Sequence, residues 1–77
     1  MMPEAILFDV GTRLRLLREQ HGLSQRALAK RAGVTNSTIS LIEQNRVSPS
    51  VSSLTKVVGG LPMTMAEFFR EEDNAVH

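Results

Sequence analysis

The chain has no cysteine among its 77 residues, which excludes disulfides and the commonest structural zinc sites. A domain of this length without either support must rely on well-fitted packing. No apolar run approaches the length of a membrane span. The opening "MMPEAILFDV" lacks the basic start and small-residue cleavage site of a secretory leader, so a cytoplasmic location is expected. His21 and His77, the only histidines, lie far apart. Glu71-Glu72-Asp73 reads as a solvated tail and not a carboxylate pair, and Gly59-Gly60 falls outside any phosphate-loop pattern. No catalytic residue, metal site, cofactor or small-molecule ligand is therefore expected, and the chain does not read as an enzyme.

The formal charge of +1 conceals a strong division along the chain. Residues 10–60 hold Arg13, Arg15, Arg18, Arg26, Lys30, Arg31, Arg46 and Lys56 against Glu19 and Glu43, eight charges less two, or +6. Both ends are acidic: Glu4 and Asp9 come before, and Glu67, Glu71, Glu72 and Asp73 outweigh Arg70 after. A basic middle between acidic ends suits a module with one face turned toward a polyanion, although charge alone also fits a mixed solvated surface.

No strand alternation persists, whereas apolar residues recur at helical spacing behind polar caps, so the expected class is all-α. Residues 1–8 form a leader whose Ile6, Leu7 and Phe8 could pack on the domain, reach a partner or stay unstructured. Asp9 caps a first helix, Val10 to Gln20, with Val10, Leu14, Leu17 and His21 on one stripe. Ser24 caps a second, Gln25 to Arg31, facing inward with Leu28, Ala29 and Ala32, and Gly33 supplies the left-handed turn. Thr35 caps a third, Asn36 to Gln44, with Ile39 and Ile42 inward. After the loop "NRVSP", Ser50 caps a fourth helix carrying Val51, Leu54, Val57 and Val58, which stops at Gly59-Gly60. Thr64 and Glu67 make a capping box for a short fifth helix with Phe68 and Phe69. Without repeats or low-complexity tracts, residues 9–70 read as one five-helix domain and 71–77 as a tail.

The segment Gln25 to Glu43, "QRALAKRAGVTNSTISLIE", places small and apolar residues where two steeply crossing helices need them. Ala29 permits close approach, Gly33 the turn, and Leu28, Val34, Ile39 and Ile42 the contacts that fix the angle. At 100° per residue, Asn36, Ser37, Ser40, Leu41 and Gln44 share the opposite stripe of the third helix. Short polar side chains let a helix backbone enter the major groove of DNA. Asn36 is suited to pair with adenine, Ser37 and Ser40 to read bases more weakly, and Leu41 to meet a thymine methyl. Gln25 and Arg26 at the start of the second helix, Thr35 at the start of the third, and Arg46, Ser48, Ser50 and Ser52 beyond it are candidates for phosphate contact. Each of these residues would also be ordinary as a cap or a solvated side chain.

"LSQRALAKRAGVTNSTISLIE" followed by "NRVSPS" resembles the Cro/lambda-repressor-like (XRE) helix-turn-helix family over Val10 to about Phe69. The resemblance implies a compact five-helix lambda-repressor-like domain that binds double-stranded DNA as a homodimer, on a two-fold symmetric operator, as a transcriptional regulator and most simply a repressor. By matching position it gives Asn36, Ser37 and Leu41 base contacts, and gives Gln25 a phosphate contact together with a role in steadying Asn36. It makes Arg18 and Glu43 a structural salt bridge. Leu41 departs from members with a base-reading glutamine there, which shifts readout toward Asn36, Ser37 and Ser40. "TNSTISLIEQNRVSPSVSSL" with "EFF" is also similar to members joined to a cupin sensor barrel, such as regulators of putrescine utilisation; no such sensor is recognisable within these residues. Met63, Met65, Phe68 and Phe69 are the candidate homodimer contact. The alternative is a protein-interaction helix-turn-helix of antitoxin or adaptor type, whose exposed face binds a protein.

Overall fold

Every helix begins at a side chain that caps it. In a computed structural model that describes residues 9–70, Asp9, Ser24, Thr35, Ser50 and Thr64 each accept a hydrogen bond from the backbone N–H three residues on. These bonds satisfy donors that the first turn of a helix leaves without a partner. The helices are α1 (Val10–Gln20), α2 (Gln25–Ala32), α3 (Asn36–Glu43), α4 (Val51–Gly59) and α5 (Met65–Phe68). The described residues are thus all-α, as expected. The leader 1–8 and tail 71–77 lie outside the described residues.

The helix ends differ from expectation by single residues: α2 extends through Ala32, and α3 closes one residue early with Gln44 as its C-cap. Gly33 adopts the left-handed conformation (φ 75°) that reverses the chain between α2 and α3. At the start of α5 the complete capping box forms, with Glu67 accepting from the Thr64 N–H at 2.8 Å.

Leu14, Leu17, Leu28, Ala29, Ile39, Ile42, Leu54, Val57, Val58, Leu61 and Phe68 form one buried core. α2 packs mainly on α3 and α4, α1 on α3, and α5 on α4. Ala29 is buried in this core, and its small side chain allows the close approach that the pair α2 and α3 requires.

Three apolar assignments change. His21 is exposed because α1 ends at Gln20 and the C-cap turns outward. Val51, in the first turn of α4, is 79% exposed, so the inward stripe starts at Leu54. Phe68 is wholly buried and Phe69 is 39% exposed, with the rings edge to face at 5.1 Å between centroids. Phe68 is therefore a core residue and cannot serve a partner surface, while Met63 and Met65 are half-buried against the core.

Two arginines counted in the basic middle are committed to carbonyls. The Arg13 Nε donates to the Phe68 carbonyl at 2.8 Å and its Nη2 to that of Glu67 at 3.3 Å, which ties α5 to α1. The Arg31 Nε donates to the Gly60 carbonyl at 2.8 Å, where α4 ends. Such bonds satisfy carbonyls that a helix end leaves open and set a positive charge at the negative end of its dipole.

Candidate nucleic-acid interface

Where the ends of α1, α2 and α3 meet, a charged network sets their relative positions. The Arg18 Nε donates to Glu43 Oε2 at 2.6 Å and its Nη2 to Oε1 at 3.1 Å, a two-pronged ion pair, while its Nη1 donates to the Leu23 carbonyl at 2.7 Å. Glu43 and Arg18 are both buried. The bonds to Glu43 hold the Arg18 guanidinium even more firmly protonated than usual, against the opposing effect of burial. No buried side-chain nitrogen or oxygen among the described residues lacks a partner.

Gln25 joins this network. Its Nε2 donates to Glu43 Oε1 at 3.0 Å, and it makes no hydrogen bond to Asn36. The Gln25 side chain is thus turned to Glu43 rather than to Asn36, a carboxylate being a stronger acceptor than a neutral amide. Gln25 thus sits half-buried at the start of α2, with its side-chain amide oriented by a charge on α3. Arg15, Arg18, Gln25, Glu43 and Gln44 line the shallow cleft beside it.

The outer face of α3 is different in kind. Asn36, Ser37 and Leu41 are exposed and make no side-chain hydrogen bond within the described residues. Ser40 is half-buried and its hydroxyl already accepts from Gln44 Nε2 at 2.7 Å. Thr35 is used twice: its hydroxyl accepts from the Thr38 N–H at 3.1 Å and shares a hydrogen bond with the Thr38 hydroxyl at 2.9 Å. The structure therefore leaves Asn36 and Ser37 as the polar groups at the N-terminal end of this face whose hydrogen-bonding capacity is unspent.

Charge at the edges follows the same distinction. Arg26, at the start of α2, and Arg46, just past α3, are exposed and form no ion pair or hydrogen bond among the described residues. Lys30 and Lys56 are likewise exposed and unpaired, whereas Arg15 pairs with Glu19 at 3.3 Å. Ser48 and Ser50 are exposed in the loop between α3 and α4, and the Ser50 hydroxyl caps α4. What composition could not reveal is that four of the eight basic residues of the middle, Arg13, Arg15, Arg18 and Arg31, are engaged within the domain. The hydrogen bonds of Arg13 and Arg31 run to carbonyls 55 and 29 residues away, beyond any local signal.

Residues 14–68 match the family HTH_3, Helix-turn-helix. Over 63 residues, 82% of this chain, the sequence is 46% identical to the HTH-type transcriptional regulator PuuR of Escherichia coli (strain K12), of which it spans 34%. It is 35% identical over 63 residues to the Immunity repressor protein of Bacillus phage phi105, 82% of this chain and 44% of that protein. The chain thus spans less than half the length of these curated relatives. Among solved structures, the wild-type Restriction-Modification Controller Protein C.Esp1396I superposes with a TM-score of 0.79 at 25% identity, covering 88% of this chain and 87% of that one. No helix among the described residues is long and apolar enough to cross a membrane.

Proposed function

Because the chain belongs to the HTH_3 helix-turn-helix (XRE-type) family, we propose that it is the sequence-specific double-stranded-DNA-binding part of a cytoplasmic transcriptional regulator, most simply a repressor. It acts as a homodimer on a two-fold symmetric operator, with α3 in the major groove of each half-site. The observation that supports this most is the contrast across α3: Ile39 and Ile42 are buried on one side, while Asn36, Ser37 and Leu41 are exposed and unpartnered on the other, with unpaired cations Arg26 at the start of α2 and Arg46 just past α3. Asn36 offers both an acceptor and donors to an adenine edge, Ser37 reads beside it, and Leu41 supplies an apolar contact to a thymine methyl. Ser40, whose hydroxyl is shared with Gln44, is the weaker reader.

Around this strip, Arg26 and Gln25 at the start of α2 and Arg46, Ser48 and Ser50 beyond α3 hold phosphates and fix the register. Thr35 contributes through the start of α3. Gln25 keeps one amide hydrogen for a phosphate while the other is bound to Glu43. The half-buried Met63 and Met65 and the exposed Phe69 lie near one another in sequence and supply the dimer contact.

Titration of the chain onto a duplex of random sequence at two salt concentrations tests the reading. Affinity should fall linearly in log salt, with a slope near −0.9 for each phosphate neutralised. Absence of binding at low salt would refute it and favour a protein partner for the same face.

A further inference from the structure

Asn45 is, among the described residues, the one other than glycine with a left-handed backbone (φ 59°). The N–H of Asn45 donates to the Ile42 carbonyl at 3.0 Å, and the reversal there brings the N–H of Arg46 to the Leu41 carbonyl, also at 3.0 Å, closing the end of α3. Glycine would make this turn without steric cost, and asparagine is among the few other residues that make it cheaply. The backbone alone therefore does not account for a side chain here, and its surroundings show where that side chain goes.

It lies on the first turn of α1. A Cβ added at Gly11 would collide with the Ile42 carbonyl oxygen and would stand 2.5 Å from Asn45 Oδ1 and 2.9 Å from its Cγ, so the Asn45 amide occupies the space that Gly11 leaves. Beside it is Asp9, the N-cap of α1. The Asp9 carboxyl is held below its ordinary range by the Thr12 N–H, then by the Thr12 hydroxyl and then by the Asn45 amide. Past this junction the chain is loosely held: no side chain of residues 46–49 makes a hydrogen bond among the described residues, and the next anchor is the Ser50 cap.

We infer that Asn45, seated on Gly11 beside Asp9, is a positioning residue for DNA binding, anchoring the loop after α3 to α1 so that Arg46 is presented to a backbone phosphate. The inference rests on the reading of Arg46 as a phosphate contact. A loop anchored at both ends loses less freedom when Arg46 binds, so removing one anchor weakens the contact without removing a charge.

The test measures affinity for a random duplex at two salt concentrations for the wild type, Asn45→Gly, Arg46→Ala and the double variant, with thermal unfolding alongside. Asn45→Gly permits the left-handed turn and deletes the anchor. It should unfold within a few degrees of wild type yet bind about three- to tenfold more weakly, and the double variant should bind no more weakly than Arg46→Ala. A general loss of fold would instead lower affinity equally in both backgrounds. Wild-type affinity for Asn45→Gly, or effects that simply multiply in the double variant, would overturn the positioning role, as would a silent Arg46→Ala. If Asn45→Gly does not fold, Asp9→Ser takes its place, since serine caps α1 but is too short to reach Asn45. Failure of the wild type to bind any duplex refutes the DNA reading itself, whereas wild-type binding with a silent Asn45→Gly refutes only the positioning role.

Discussion

The two sides of the helix pair α2 and α3 differ in how far their chemistry is spent. On the inner side, Leu28, Ala29, Ile39 and Ile42 are closed within the core, and Glu43 gives its carboxylate oxygens to Arg18 and Gln25. On the outer side, Asn36, Ser37, Arg26 and Arg46 have capacity without partners inside the chain. A group satisfied within the fold contributes to stability, and one left unsatisfied at the surface contributes nothing until a ligand meets it. Substitutions on the two sides should therefore separate into changes of stability and changes of binding.

The strongest challenge to that separation is Arg18→Ala. It leaves the Glu43 carboxylate buried without its cation, and breaking such a pair from one side costs about 3–5 kcal/mol. Chemical denaturation should show a loss of this order, a large fraction of what a small domain possesses. Replacing Arg18 and Glu43 together with apolar residues of similar volume should restore much of it. An Arg18→Ala chain as stable as wild type would mean that the network is ornamental to the fold.

Asn36→Ala probes the other side. Unfolding should be nearly unaffected, because Asn36 is exposed and makes no hydrogen bond among the described residues. Discrimination at one operator base pair should drop by about 1–3 kcal/mol, read by selecting binding sites from a random pool with each protein. If the selected sequence is unchanged, Asn36 is not a reader and the division fails on its functional side.

Arg26→Ala and Arg46→Ala sharpen the division within the outer side. Each should weaken binding to all sequences alike, flattening the salt dependence by about one unit of slope without altering the selected sequence. Arg13→Ala, equally basic on paper, should leave that slope unchanged and lower the unfolding temperature, because its guanidinium holds the end of α5. A change of slope for Arg13→Ala would show that the charge of the basic middle acts as a whole and not through particular free cations.

Legibility follows the distance over which each signal acts. All five caps are written within three residues of the groups they satisfy, and the sequence alone places them at Asp9, Ser24, Thr35, Ser50 and Thr64. The exposure of Asn36, Ser37 and Leu41 likewise follows from helical phase relative to Ile39 and Ile42. What composition hid was long-range. Arg13 and Arg31 look like free charges until the chain folds back on them, and nothing local tells Phe68 from Phe69 because both fall where a short helix ends. The Arg18 and Glu43 pair was readable only through family resemblance, and the bond from Gln25 to Glu43 not even then, since it depends on how three helix ends converge.

The smallest expected effect concerns acid. Asp9 is exposed, and its carboxyl is held below its ordinary range first by the Thr12 N–H, then by the Thr12 hydroxyl and the Asn45 amide. A carboxylate with a lowered pKa in the folded state contributes stability that is present above the unfolded value, near 4, and is lost as pH falls through the folded value. Between neutral pH and about 5 the cap should therefore make a constant contribution, fading only below that. Asp9→Asn keeps a capping oxygen and removes the titration, so the stability of wild type relative to this variant should be constant from neutral pH to about 5 and should fall below that, by a small amount. The comparison is made by thermal unfolding from pH 7 down to pH 3. A wild type that gains stability relative to Asp9→Asn as the pH is lowered would mean that Asp9 acts as an unfavourable charge, repelled by its surroundings, and that the junction with Asn45 does not favour its ionised form.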